Sequence, residues 1–175
     1  MMRRLICAAA TLSALAATPA LAEVKSATPG GFEVGGVIAI KAPPARVWAV
    51  LTTPDDWWSR DHRWFRGSTL SLDLQAGGCW CETANGGRTA RHLETILVEP
   101  GAKLILHGVL GPLMDQGVTG SAVFELKAEG EGSLLTWSYS VGGYTSGGLE
   151  PWARPVDGVL SAQIASLKTQ AEAAD

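Results

Sequence analysis

The chain has 175 residues, with 14 Lys and Arg against 17 Asp and Glu and a formal net charge of −3. That length suits one domain around one core. An acidic chain without a Lys/Arg cluster argues against nucleic acid as a partner, because phosphate binding needs a concentrated basic face.

Met1-Met2-Arg3-Arg4, an apolar run from Leu5 to Ala17 and Ala20-Leu21-Ala22 read as the basic region, apolar region and cleavage site of a secretory signal peptide, residues 1–22. The run is short and broken by Pro19, which argues against stable membrane insertion. Cleavage after Ala22 and export to the periplasm are expected, with an N-terminal segment over 23–34 and a ligand-binding domain over 35–171.

Phe32, Val34, Ile38 and Ile40 predict a first strand. Pro44 then fits the first turn of a helix whose apolar face is Val47, Trp48, Val50 and Leu51, stopped by Pro54. Asp55 to Gly67 is aromatic, charged and irregular. Leu70, Leu72 and Leu74 alternate with polar residues as a half-buried strand does. Cys79 to Thr83 and Thr89 to Val98 flank Asn85-Gly86-Gly87, a hairpin signal. Lys103 to Val109 comes next, then a Gly/Pro-rich loop from Leu110 to Thr119. Ala122 to Ala128 and Ser133 to Val141 form the last hairpin, with Leu135, Trp137, Tyr139 and Val141 on one face.

Pro151 to Ala171 is the one long amphipathic helix, with Trp152, Val156, Val159, Leu160, Ile164 and Leu167 on its apolar side. The class is α+β: a curved antiparallel sheet of about seven strands around a long C-terminal helix. A sheet gripping one helix tends to leave a hollow, the natural place for a ligand.

Several strings resemble the helix-grip (SRPBCC, START-like) superfamily, which includes START domains, polyketide cyclases and the Hsp90 ATPase activator homologues. Ala42-Pro43-Pro44-Ala45-Arg46-Val47-Trp48 is similar to the lead-in to that family's first helix, and Trp57-Trp58 to the aromatic pair after it. Gly77-Gly78-Cys79-Trp80-Cys81-Glu82 resembles its Gly-Gly-x-aromatic-x-Glu turn and strand, Val98-Glu99-Pro100-Gly101 its strand end, and Val156-Asp157-Gly158-Val159-Leu160 with Gln163 and Leu167 its closing helix. The resemblance covers roughly residues 35 to 170 and implies a deep pocket between sheet and closing helix, without implying one reaction. The export signal speaks against a cytosolic co-chaperone role.

The expected ligand is a small hydrophobic or aromatic molecule. Trp57, Trp58 and Trp64 either line the pocket mouth or pack under their loop. Trp80, Trp137, Tyr139 and Trp152 face inward by parity, as ligand contacts or as core, and Met114 and Tyr144 lie in loops able to close over the pocket. Glu82 shares parity with Trp80, and His92 with Ile96 and Val98. Together Glu82 and His92 are the candidate acid/base pair of a cyclase, dehydratase or hydrolase. The bland alternative for Glu82 is an ion pair with Arg88 or Arg91.

Serine elbow, phosphate loop and dinucleotide fingerprint are missing, so no cofactor is expected. Cys79 and Cys81 flank Trp80, and a relaxed strand would hold their Cα atoms roughly 6 to 7 Å apart, the upper edge for a disulfide. Two thiols, or a reducible bridge needing a bulge, are favoured over a structural staple. A minor alternative is a metal or thiol-redox module completed by His62, His92, His107 or Met114. No motif sets an oligomeric state.

Overall fold

The computed structural model describes residues 23–173, so the expected signal peptide lies outside the described residues. The strands are β1 (Glu23–Thr28), β2 (Gly31–Ile40), β3 (Thr69–Leu72), β4 (Cys79–Ala84), β5 (Arg88–Glu99), β6 (Lys103–Gly108), β7 (Gly117–Glu129) and β8 (Gly132–Tyr144). They form one curved antiparallel sheet in the order β1-β2-β8-β7-β6-β5-β4-β3. Two short helices, α1 (Pro44–Leu51) and α2 (Pro54–Trp57), join β2 to β3, and α3 (Ala153–Glu172) closes the chain across the concave face.

The described sheet therefore has eight strands where the sequence pattern gives about seven. β1 is the addition. Only Val24 and Ala27 are apolar in it, and its register against β2 shifts between Val24 and Ser26, which erases the alternation that marks a strand. It pairs with β2 through a Pro29-Gly30 turn, so the segment over 23–34 is part of the sheet. β7 likewise begins at Gly117, ahead of the expected Ala122, because its glycine-rich start pairs with the end of β8.

Strand period 2 and helix period 3.6 account for the core. Leu135, Trp137, Tyr139 and Val141 of β8 are buried as predicted, beside Ala122, Phe124 and Leu126 of β7 and Leu104 and Leu106 of β6. A buried hydroxyl, Ser133 Oγ, is satisfied by donating to the Ala42 carbonyl at 2.7 Å, which ties the lead-in of α1 to the sheet.

α3 starts at Ala153 after a single 3-10 turn over Glu150–Trp152, and Pro155 is tolerated in its first turn, where backbone N–H groups have no partner. Its two halves do different things. Leu160, Ile164, Leu167 and Ala171 are buried, in a helix that packs on β2, α1, α2 and β1. Trp152, Val156 and Val159 are only half-buried, because the sheet does not close against them.

β5 carries two irregularities. Trp80 pairs with Leu93 but Cys81 pairs with Arg91, leaving His92 as an additional residue, and Thr95 pairs with Leu106 but Leu97 with Ile105, leaving Ile96 over. Each offset reverses the inward parity of the residues beyond it. Consecutive His92 and Leu93 are thus both buried, while Ile96, expected to share the His92 face, is 40% exposed.

Cys79 and Cys81 are joined as a disulfide, with Cα atoms 5.3 Å apart. The bulge that such a bridge needs is present opposite, between Trp80 and Cys81. With the sulfurs bonded to each other, neither is a thiolate donor, which removes the basis of the metal alternative. Among the described residues no helix is long and apolar enough to cross a membrane.

Candidate functional site

Between the open half of α3 and the loop after α2 lies a cavity of about 430 Å³. Trp152, Pro155, Val156, Val159 and Leu160 form the helix wall, and Trp58, Asp61, His62, Arg63 and Trp64 form the loop wall. Leu110, Gly111 and Pro112 close a third side, and His92 and Tyr139 come up from the sheet.

The loop wall is held by one buried cation. The Arg63 side chain is 2% exposed and paired with Asp55 Oδ1 at 2.6 Å. It also donates to the carbonyls of Ser68 (3.0 Å), Asp55 (3.0 Å) and Trp58 (2.9 Å). Burial pushes the Asp55 carboxyl up, but the Leu70 N–H and the Arg63 guanidinium outweigh that and hold it below its ordinary 3.8. From α3, buried Gln163 accepts the Ser59 N–H at 2.7 Å and bonds His62 Nδ1 at 2.8 Å. The segment that composition alone makes look solvated is thereby fixed at both ends.

Beneath the loop, Trp57, Trp58 and Trp80 pack edge to face, with centroids 5.2 to 5.9 Å apart. Trp57, Trp80 and Trp137 are core: each is at most 4% exposed, and between them only a void of about 20 Å³ remains. Trp58 divides the interior, with the filled half on one side and the cavity on the other.

Glu82, fully buried on β4, accepts the backbone N–H groups of Trp64 at 3.0 Å and Phe65 at 2.7 Å and bonds His92 Nε2 at 2.9 Å. Neither Arg88 nor Arg91 is its partner: Arg88 stacks over Phe65 and Arg91 pairs with Glu94. Burial pushes the Glu82 carboxyl up, yet the nearby Ser68 hydroxyl and the hydrogen bonds from Phe65, Trp64 and His92 together outweigh it and hold the group below its ordinary 4.5. As a carboxylate it accepts from the loop backbone and from His92 at once, and so ties the two together.

With Nε2 on the Glu82 carboxylate, the other ring nitrogen, Nδ1, is buried without a hydrogen-bond partner. Tyr139 Oη accepts the Leu110 N–H at 3.1 Å, and burial pushes the hydroxyl well above its ordinary value, keeping it a neutral donor. An unpartnered imidazole nitrogen and a hydroxyl donor therefore come from two residues that line one apolar cavity.

Of the ligand contacts expected from sequence, Trp58, Tyr139 and Trp152 line the cavity, as do Trp64 of the aromatic loop and, of the candidate acid/base pair, His92 but not Glu82. Met114 instead faces an outer groove with His107, Arg91 and Glu94, and its Sδ accepts the Trp64 Nε1–H at 2.9 Å. Tyr144 is 77% exposed at the end of β8, where it pairs with Gly117, and does not line the cavity. Sequence reasoning missed Leu110, Gly111 and Pro112, which carry no pattern, and left Val156, Val159 and Leu160 as plain helix packing, although their stripe was the available signal.

Residues 32–172 match the family model described as polyketide cyclase/dehydrase and lipid transport. No curated protein matches the sequence. Among similar solved structures, a conserved protein of unknown function from Enterococcus faecalis is 17% identical, with 86% of this chain and 75% of that one covered and a TM-score of 0.58. CalU16 from Micromonospora echinospora is 19% identical, with 91% and 88% covered and a TM-score of 0.55. The di-domain ARO/CYC StfQ of the steffimycin biosynthetic pathway is 13% identical, with 82% and 50% covered and a TM-score of 0.57. At these identities the likeness is one of fold.

Proposed function

Given that the chain belongs to the polyketide cyclase/dehydrase and lipid transport family, we propose that it binds a small hydrophobic, ring-containing molecule between α3 and the Trp58–Trp64 loop. The cavity carries this reading. Its volume of about 430 Å³ falls in the range of roughly 300 to 1,000 Å³ typical of small-molecule sites, and its walls are largely Trp, Val, Leu and Pro. Export to the periplasm belongs to the same proposal. It is supported by the N-terminal pattern ending at Ala22 and by the Cys79–Cys81 bond, since disulfides persist in oxidising compartments.

Trp58, Trp64 and Trp152 line the cavity, so occupancy is read from tryptophan emission. Titration with naphthol, palmitate and flat polycyclic aromatics is expected to quench or shift it with saturation. Emission indifferent to the whole panel defeats the proposal. Sequencing the N-terminus of the exported protein tests cleavage after Ala22.

The unpartnered Nδ1 favours a second reading, acid/base catalysis in the same cavity. Here His92 Nδ1 takes a proton from an acidic C–H or O–H of the bound molecule, Glu82 stabilises the resulting imidazolium, and Tyr139 donates to the oxygen that gains charge. His92→Ala then abolishes turnover while leaving apolar affinity near that of the parent. Equal loss of both reduces His92 to a binding residue.

A further inference from the structure

Cys79 and Cys81 face two different registers of the neighbouring strand. Cys79 pairs with Glu94 and Cys81 with Arg91, so a two-residue step on β4 stands opposite a three-residue step on β5. Along the first half of β5, inward parity runs through Ala90, opposite Glu82, to His92. Along the next stretch, it runs through Leu93, opposite Trp80, to Thr95. One uninterrupted register would turn either His92 or Leu93 out to solvent. Both are inside because the offset falls between them.

Such an offset can sit one pair earlier or later with little change in the number of ladder bonds, so its position needs a cause. On the outer face the Arg91–Glu94 ion pair spans the same step at 3.0 Å, but its side chains are 64% and 38% exposed, and exposed pairs contribute little. The covalent bond is the stronger candidate. It joins the residue before the offset to the residue after it, and it holds their Cα atoms at 5.3 Å, closer than the roughly 6 to 7 Å of a relaxed strand.

We propose that the Cys79–Cys81 disulfide is a positioning element for His92, fixing the β4–β5 offset where it keeps Nε2 on the Glu82 carboxylate. Without the bond the offset is free to migrate, and the His92–Glu82 contact becomes one of several pairings. This deepens the cavity reading, because His92 lines the cavity. It is nevertheless measurable with no ligand present.

The experiment tracks the His92 imidazole of ¹⁵N-labelled protein, beginning at Glu23, by NMR before and after reduction. Dithiothreitol supplies two electrons and two protons, giving two thiols and its own cyclic disulfide. The oxidised protein is expected to show a slowly exchanging Nε2–H signal. In the reduced protein, and in the Cys79→Ser/Cys81→Ser variant, that signal exchanges about tenfold faster or broadens away, while amides outside β4 and β5 keep their positions. An unchanged Nε2–H signal in both preparations overturns the proposal. Loss of the whole amide spectrum on reduction overturns it too, by making the bond a staple of the entire domain. Emission indifferent to every apolar probe would sink the cavity reading and leave this result standing.

Discussion

Glu82 on β4 accepts the backbone N–H of Trp64 at 3.0 Å, so a strand carboxylate sets the aromatic ring at the cavity mouth. The same carboxylate holds Phe65 N and His92 Nε2, which makes the loop wall and the polar floor one electrostatic unit. Neither wall is an independent feature.

That unit gives the protein a defined acid limit. The folded Glu82 value lies below 4.5, so its contribution to stability is complete above pH 4.5 and is lost as pH falls through the lower folded value. Asp55, held below 3.8, behaves in the same sense slightly further down. Glu82→Gln turns an amide N–H₂ toward donors that had an acceptor, which costs about 1 to 3 kcal/mol at neutral pH. Urea midpoints at pH 7 and pH 3 should show a gap between parent and variant that narrows on acidification. A gap of constant size would show that the carboxylate is not preferentially ionised in the fold.

Filling the cavity separates binding from stability. Val159 is half-buried on the cavity side of α3, so Val159→Phe extends into free volume and is expected to change stability by less than about 1.5 kcal/mol. Affinity for apolar probes should fall tenfold or more. Undiminished probe binding with an unchanged melting temperature places the site elsewhere.

How much of this was legible from sequence depends on the range of the interactions. The β8 face of Leu135, Trp137, Tyr139 and Val141 comes from local alternation and is buried as expected. His92 also points inward as its parity with Val98 implies, but only because two offsets between them cancel, and the intervening Ile96 shows the parity failing. The division of Trp57, Trp58 and Trp64 into packed, dividing and mouth-lining rings depends on Arg63 folding the loop onto Asp55 and Ser68, and on Glu82 and Gln163 meeting it from elsewhere in the chain. The apolar stripe of α3 gave the right helix without showing that its two halves have different tasks, because the edge of the opposing sheet is not written in the helix.

Arg63 is the keystone of the loop wall, and its loss should be felt there first. Arg63→Met removes four donated hydrogen bonds and leaves the Asp55 carboxylate without its cation, a change worth about 3 to 5 kcal/mol for a fully buried pair. Asp55 is 30% exposed and water screens the pair in part, so a smaller loss, about 2 to 3 kcal/mol, is expected. Thermal melting measures it, and a red shift of tryptophan emission below the melting point localises it to the loop. A variant that melts with the parent would mean that the Gln163 bridge suffices.

Two glycine substitutions should act in opposite directions. Gly158 sits in α3 with nothing within 4 Å of where a Cβ would stand, so Gly158→Ala relieves the entropic penalty of glycine inside a helix and should stabilise by about 0.5 to 1 kcal/mol. Gly108 ends β6 at φ +138°, and a Cβ there would meet the His92 carbonyl oxygen at 2.5 Å and Leu93 Cα at 3.1 Å, both backbone atoms of the offset in β5. Neither can rotate away, so Gly108→Ala forces β5 and β6 apart and strains a conformation that L residues rarely adopt, at about 1 to 3 kcal/mol. Because the displaced backbone carries His92, the variant should also weaken the His92–Glu82 hydrogen bond, seen as faster Nε2–H exchange. A Gly108→Ala protein as stable as the parent would mean that β6 does not approach β5 closely at His92, and the geometry given for the polar floor of the cavity would have to be abandoned.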